Sequence, residues 1–154
     1  FHKYTDRVKM TNIAQVVNVL QSMILTKEDK MVLTPTYYVF KMYNVHQDAT
    51  YLPLDLQCER KIVRDNRIVP MVGAIHVSLS NVDLEESQEI TLTLGDVKAK
   101  SVSGQILTSE KIDDYNTFEQ PNLVKLADFK GAKLTKNGLV VKLPAKSIVT
   151  LEIK

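Results

Sequence analysis

The 154-residue sequence contains one cysteine, five glycines, five prolines and no tryptophan. A single cysteine, Cys58, cannot form an internal disulfide, so a disulfide-stapled scaffold is excluded and we expect Cys58 to be an inert small side chain. The few glycines form no glycine-rich phosphate-binding loop. Without tryptophan the chain lacks the largest aromatic side chain that a sugar ring can stack on.

Excess charge of one sign is also lacking. The 20 Lys and Arg residues and the 18 Asp and Glu residues leave a net charge of +2 and are interleaved, as in KEDK and VRDNR. This pattern argues against a nucleic acid or an anionic membrane as a partner. No apolar run reaches the roughly 18 to 20 residues of a membrane span, and no secretory signal is present.

The size of the chain suits one globular domain, or one domain with a fragment of another, at 44% hydrophobic content. Because the first residue is Phe1 rather than Met, we expect the chain to begin inside a longer protein. The lack of a signal peptide then says nothing about the compartment, and periplasmic, extracellular and cytoplasmic locations all stay open.

Apolar and polar residues alternate with period two from residue 70 onward. AIHVSLSNV, EITLTLGDV and SIVTLEIK show the alternation, and RKIVRD and SVSGQIL are further candidate strands. In KLTKNGLVVKLP, Asn137-Gly138 predicts a two-residue hairpin turn. About seven or eight short strands without helical segments between them predict a mainly β protein with an antiparallel sandwich.

One stretch, residues 107–130, has no sustained period. A long excursion of this kind is either functional or packed as a loop of its own. We expect a packed loop, anchored by Tyr115 and Phe118.

The first 50 residues differ from the rest. In TPTYYVFKMYNVHQ, Thr34 is a candidate N-cap with Pro35 at the first helical position, which predicts a short amphipathic helix. The preceding run MTNIAQVVNVLQSMIL suits a helix or a strand equally well. Amides recur in it at every third position, and buried amides need partners. These amides are Asn12, Gln15, Asn18 and Gln21.

The usual signatures of catalysis and metal binding are missing from the sequence. His2, His46 and His76 are far apart and have no metal-ligand spacing, so structural or surface roles are favoured. No serine lies in a nucleophile elbow. The tyrosines of the helix could form a sugar-stacking face, although packing against a core is favoured. They are Tyr37, Tyr38 and Tyr43.

Several long strings nevertheless resemble one family. DRVKMTNIAQVVNVLQSMILT, MVLTPTYYVFKMYNVHQDATYLPL, VSLSNVDLEESQEITLTLG, AKSVSGQILTS and LPAKSIVTLEI are similar, in order along nearly the whole chain, to the C-terminal part of α-L-arabinofuranosidases of glycoside hydrolase family 51.

The resemblance implies a (β/α)8 catalytic barrel followed by a jelly-roll-like β-sandwich. Residues 1–48 would be a remnant of the barrel and residues 49–154 the sandwich domain. Within the remnant, residues 8–15 would form the eighth barrel strand, residues 16–34 the loop after it and residues 35–47 the last barrel helix. Without neighbouring barrel strands, we expect residues 8–25 to become helical, fold back on the sandwich or pair with a second copy.

The resemblance assigns substrate binding to Gln15, at the carboxyl end of the barrel strand, where barrel active sites are built. It assigns no substrate contact to Asn12, Asn18 or Gln21, which we interpret as structural amides. No metal ligand or cofactor is implied.

The catalytic residues of such enzymes are not in this sequence. Retaining glycosidases need two carboxyl groups roughly 5 to 5.5 Å apart, and the family supplies them from Asn-Glu and Asp-Glu-Trp contexts. None of the glutamates in this chain has either context. The chain by itself is therefore predicted to be inactive, although its parent is predicted to be a retaining, exo-acting glycosidase.

The predicted partners are an arabinofuranosyl-containing polysaccharide or oligosaccharide, the rest of the barrel and further copies in a homo-oligomer. Two alternatives stay open. One is a free-standing, non-catalytic carbohydrate-binding module, which would usually expose aromatic platforms. The other is a structural domain of a different multidomain protein.

Overall fold

The computed structural model describes residue 4 and residues 6–14, 16–52, 67–71, 74–95 and 97–154. In these ranges the chain forms ten strands, one α-helix and one 3-10 turn. In chain order they are β1 (Ile24–Lys27), β2 (Lys30–Leu33), α1 (Pro35–Tyr43), the 3-10 turn (Asn44–His46), β3 (Arg67–Met71), β4 (Ala74–Asn81), β5 (Gln88–Leu92), β6 (Val102–Thr108), β7 (Ala127–Asp128), β8 (Ala132–Thr135), β9 (Gly138–Leu143) and β10 (Ser147–Ile153).

Eight of these strands form a sandwich of two sheets. The larger sheet has the order β3-β4-β10-β6-β7 and the smaller has the order β5-β9-β8, with antiparallel neighbours throughout. Alternate residues of both sheets point inward and bury a shared apolar core, as period-two strands require. The core consists of Val77, Leu79, Leu92, Ile106, Leu139, Val141, Leu143, Val149, Leu151 and Ile153. The predicted mainly β antiparallel sandwich is confirmed.

The helix covers part of the outer face of the larger sheet. Thr34 caps α1 and Pro35 begins it, as predicted. Met42 packs with Leu107 of β6 and Val124 in a second, smaller apolar cluster, which Tyr38 and Tyr43 border. Packing is therefore the observed role of these two tyrosines. Among the described residues, the helix, the larger sheet and the smaller sheet therefore form three layers, with the β1–β2 hairpin preceding the helix in the chain.

The β8–β9 hairpin turns one residue earlier than predicted. Thr135 pairs with Gly138, so the loop residues are Lys136 and Asn137 rather than Asn137 and Gly138. Gly138 instead begins β9 with φ +138°, where an added Cβ would clash with the carbonyl oxygen of Leu92. Close approach to β5 therefore requires this glycine, in addition to its positive φ.

The excursion over residues 107–130 is a packed loop, but one predicted anchor is wrong. Tyr115 is 66% exposed, and Phe118 is only half-buried. The buried side chains are Asn116 and Val124. An amide can be buried here because backbone groups satisfy its polar atoms.

The N-terminal segment differs most from expectation. Residues 8–14 form neither the expected barrel strand nor a helix, and no described strand pairs with them, so the hydrogen bonds that define a strand are not made. Leu20 stays 93% exposed. The expected loop 16–34 contains the β1–β2 hairpin, and the helix expected over 35–47 ends at Tyr43 before a 3-10 turn.

Two further expectations fall on other parts of the chain. The strand predicted from RKIVRD, like Cys58 and His2, lies outside the described residues. No helix among the described residues is long and apolar enough to cross a membrane.

Candidate functional site

The loop that follows Gln15 is closed by its own backbone. The N–H groups of Met23 and Ile24 both donate to the carbonyl oxygen of Val16, at 3.0 and 3.1 Å, and the N–H of Asn18 donates to the carbonyl of Ile24 at 3.1 Å. These bonds hold residues 16–24 as a compact loop at the entrance to β1. Gln15 itself lies outside the described residues, so its side chain stays a prediction.

The neighbouring amides are structural where the structure describes their contacts. The Asn18 side chain donates to Thr26 Oγ1 at 2.8 Å and accepts from the Thr26 N–H at 2.7 Å. Asn18 and Gln21 have φ of +55° and +60°, which Asn tolerates better than most residues. Asn12 is exposed. The hydrogen-bonded turn thus accounts for Asn18, one of the four regularly spaced amides.

Thr34 connects this loop to the helix. Its hydroxyl donates to the carbonyl of Ser22 at 2.7 Å and accepts from the N–H of Tyr37 at 3.4 Å. Its own N–H donates to the carbonyl of Met23 at 3.1 Å. One residue therefore caps α1 and fixes the loop that follows Gln15.

Thr34→Val is expected to destabilise the chain by about 1 to 2 kcal/mol, because it removes the cap and leaves the Ser22 carbonyl without its donor. Equilibrium urea unfolding measures the change. Thr34→Ser keeps the hydroxyl and is the matched control. Equal stability of the Thr34→Val and Thr34→Ser proteins would contradict this role.

Asn116 joins the sandwich to the same region. It is 1% exposed. Its Nδ2 donates to the carbonyls of Leu33 and Val124, both at 2.8 Å, and its Oδ1 accepts from the Val124 N–H at 2.7 Å. Since Leu33 directly precedes Thr34, a loop of the sandwich is bound to the strand end that holds the residue 16–24 loop.

The start of the same sandwich loop is ordered by a carboxylate. Asp114 accepts hydrogen bonds from the Ser109 hydroxyl and from the Lys111 N–H. The pKa of Asp114 is held below its ordinary value. The largest cause is the hydrogen bond from Ser109, and the hydrogen bond from the Lys111 N–H and the positive charge of Lys111 contribute after it. The turn before Asn116 is therefore built around an ionised side chain.

His46 and His76, the two histidines that the structure describes, both lie at strand β4. The His46 ring is hydrogen-bonded to Ser78 of β4 through Nε2, and His76 is buried in the same strand. No group of three or more potential metal ligands occurs among the residues that the structure describes.

The sequence did not indicate that Thr34 holds the residue 16–24 loop, and it did not indicate a role for Asn116. The Thr34-Pro35 pair predicted the N-cap of the helix but no contact with the loop. Asn116 lies in the aperiodic stretch DYNTFEQPNLV, where no pattern distinguishes a buried amide from an exposed one.

Comparison with known proteins gives this arrangement a family. A family model described as the alpha-L-arabinofuranosidase C-terminal domain matches residues 1–147. This chain belongs to that family. It is 68% identical over 163 aligned residues to an intracellular exo-alpha-L-arabinofuranosidase of Bacteroides ovatus, covering 100% of this chain and 32% of that protein.

Solved structures agree. The GH51 arabinofuranosidase of Xanthomonas axonopodis pv. citri matches with a TM-score of 0.93 and 43% identity, over 100% of this chain and 33% of the other. A thermostable GH51 alpha-L-arabinofuranosidase of Thermotoga petrophila RKU-1 matches with a TM-score of 0.84 over 99% of this chain and 35% of its own, at 20% identity, and shows the shared fold alone. This arabinofuranosidase C-terminal domain spans about a third of the length of these relatives.

Proposed function

We propose that this domain is the C-terminal part of a retaining α-L-arabinofuranosidase that removes terminal α-L-arabinofuranosyl units from arabinan, arabinoxylan or arabino-oligosaccharides. The observation that carries the proposal is the 68% identity, along the whole chain, to an exo-alpha-L-arabinofuranosidase. The catalytic glutamates belong to the part of the enzyme outside this chain, and the chain itself contributes substrate binding and support.

The sandwich braces the last barrel helix in this proposal, with residues 1–48 belonging to the barrel and residues 49–154 to the sandwich. Two contacts across this boundary support it: Met42 packs on Leu107 and Val124, and Asn116 binds the carbonyl of Leu33. Both involve buried groups, so separating the two parts would expose apolar surface and unpaired polar atoms. We further propose that the sandwich contributes to contacts between copies in a homo-oligomer.

Gln15 is the proposed substrate-binding residue, with its amide on a hydroxyl group of the arabinofuranosyl ring. The loop that follows it supports this role, because Thr34 and the Val16 carbonyl hold residues 16–24 in one conformation. Gln15 directly precedes this loop, so the hydrogen bonds that hold residues 16–24 also restrict its position. This is the pre-organisation that a sugar site needs.

In the full-length enzyme, Gln15→Ala is expected to lower kcat/KM about 5- to 150-fold, because a hydrogen bond in a desolvated site is worth about 1 to 3 kcal/mol. Hydrolysis of 4-nitrophenyl α-L-arabinofuranoside measures the change. Asn12→Ala removes an exposed amide three residues away and is the matched control, with kinetics near those of the wild type. Unchanged kcat/KM in a folded Gln15→Ala enzyme would show that Gln15 does not contact the sugar and only stabilises the barrel.

A further inference from the structure

The hydrogen bonds of Asn116 fix the orientation of its side chain. One edge of the amide pairs with the backbone of Val124, because Nδ2 donates to the Val124 carbonyl at 2.8 Å and Oδ1 accepts from the Val124 N–H at 2.7 Å. The other Nδ2 hydrogen is donated to the Leu33 carbonyl at 2.8 Å. Both amide hydrogens and the amide oxygen are thus used, and a flipped amide would lose all three bonds. Asn116 therefore holds Leu33 in a fixed position relative to Val124.

The register of the β1–β2 hairpin directs the Leu33 carbonyl toward the sandwich. In an antiparallel pair of strands, hydrogen-bonded and non-hydrogen-bonded residue pairs alternate. Thr34 donates its N–H to the carbonyl of Met23, so the next pair, Leu33 with Ile24, is a non-hydrogen-bonded pair. The carbonyl of Leu33 therefore points away from β1, and Asn116 binds it from that side.

The hairpin itself is small and depends on such outside contacts. β1 and β2 have four residues each and form a two-stranded sheet that no further strand of the described chain joins. A two-stranded hairpin is at best marginally stable in water by itself. The position of β2 is therefore set by the bond from Asn116 at its end and by the packing of the buried Val32.

From the hairpin, hydrogen bonds continue to the residue next to Gln15. Ile24, the strand partner of Leu33, donates its N–H to the Val16 carbonyl at 3.1 Å. Val16 directly follows Gln15. Hydrogen-bond networks and paired strands are the elements through which a change at one position is transmitted to another. A displacement of Leu33 would therefore reach the backbone beside Gln15.

We propose that Asn116 is a positioning residue for the arabinofuranosyl site, which holds the loop after Gln15 through Leu33 and Ile24. The sandwich then sets the affinity of the barrel for its substrate. This inference rests on the proposed function of Gln15. It goes beyond bracing, because bracing alone predicts a loss of stability, whereas positioning predicts weaker substrate binding by enzyme that is still folded.

A double-mutant cycle in the full-length enzyme tests the proposal. Asn116→Ser leaves one hydroxyl group, which cannot donate to two carbonyls. It is expected to lower kcat/KM for 4-nitrophenyl α-L-arabinofuranoside about 2- to 30-fold, chiefly by raising KM, whereas unfolded enzyme would lower kcat and leave KM unchanged. In the Gln15→Ala background the same substitution is expected to have no further effect, since residues that act through one another are not additive.

Leu139→Ala is the matched control for lost stability. Leu139 is fully buried on β9 of the smaller sheet, and removing its side chain leaves a cavity that destabilises the sandwich. It is expected to lower the urea midpoint and leave KM unchanged. Thr34→Val, a second variant, removes the hydroxyl that bonds Ser22 in the same loop and is expected to raise KM.

Three kinetic results would overturn the proposal. They are an unchanged KM in Asn116→Ser and Thr34→Val, an equal rise of KM in Leu139→Ala, and an effect of Asn116→Ser that is the same with and without Gln15.

Methyl NMR on the full-length protein gives a readout that does not depend on hydrolysis. Met23 lies in the residue 16–24 loop, and its methyl resonance is assigned by its loss in Met23→Leu. The resonance is expected to shift in Asn116→Ser and to stay in place in Leu139→Ala. A wild-type enzyme without hydrolysis would contradict the proposed function, whereas an unmoved Met23 resonance in Asn116→Ser would show that Asn116 does not position the loop.

Discussion

The isolated 154-residue chain is expected to release no nitrophenol from 4-nitrophenyl α-L-arabinofuranoside, at least about a 10⁶-fold loss relative to the full-length enzyme. Retaining hydrolysis needs a nucleophile and a general acid on either side of the scissile bond. The described glutamates are exposed or half-buried, and none occurs in the sequence context of a catalytic pair. A spectrophotometric assay of the purified chain measures the rate.

The full-length enzyme, purified and assayed in parallel, is the control. A chain carrying Gln15→Ala should be as inactive as the unmodified chain, since a binding residue has nothing to assist without the catalytic carboxylates. Turnover that follows the chain through successive purification steps and falls on substitution of Gln15 would contradict the prediction, because the chain would then hold an active site of its own.

Asn116→Ala is expected to cost on the order of 3 kcal/mol or more of folding free energy. The substitution leaves two carbonyls and one N–H without a partner in a buried site, and each such group costs about 1 to 3 kcal/mol. That is a large fraction of the roughly 5 to 15 kcal/mol that stabilises an ordinary domain. Equilibrium urea unfolding measures the total change. Hydrogen exchange at the Val124 N–H, which donates to Asn116 Oδ1, measures it locally.

Two further variants separate the possible causes. Asn116→Asp keeps the acceptor for Val124 but removes both donors and buries a carboxylate against two carbonyl oxygens, so it should be at least as destabilising as Asn116→Ala. Asn122→Ala, at an exposed position in the same loop, should change the unfolding free energy by no more than about 0.5 kcal/mol. Equal stability of the Asn116→Ala and Asn122→Ala proteins would show that the hydrogen bond from Asn116 to Leu33 does not contribute to the folding free energy.

The strands of the sandwich could be predicted because burial on one face imprints a period of two on the sequence. AIHVSLSNV and SIVTLEIK correspond to β4 and β10 within a residue, whereas β5 ends at Leu92, five residues before the end of EITLTLGDV. The start of the helix was also predictable from neighbouring residues. A threonine at the N-cap can accept a hydrogen bond from a backbone N–H of the first turn, and a proline suits the first helical position. Only neighbouring residues are needed for such signals.

The hairpin register and the loop anchor were not predictable. Asn137-Gly138 indicated the correct turn, but the approach of Gly138 to the Leu92 carbonyl involves a strand more than forty positions earlier in the sequence. Tyr115 was expected inside and is exposed, while Asn116 beside it is buried. Whether a side chain in an aperiodic loop is buried depends on which distant backbone groups can pair with it.

The sequence by itself determined the sandwich, the capped helix, the family, and the fact that no glutamate lies in an Asn-Glu or Asp-Glu-Trp context. All of these follow from local periodicity or from motifs that are contiguous in the chain. Only the tertiary structure decided that Asn116 reaches Leu33 and that Thr34 holds the residue 16–24 loop. These groups are brought together by strand pairing and helix packing, and contacts between residues distant in sequence leave no periodic trace in the chain.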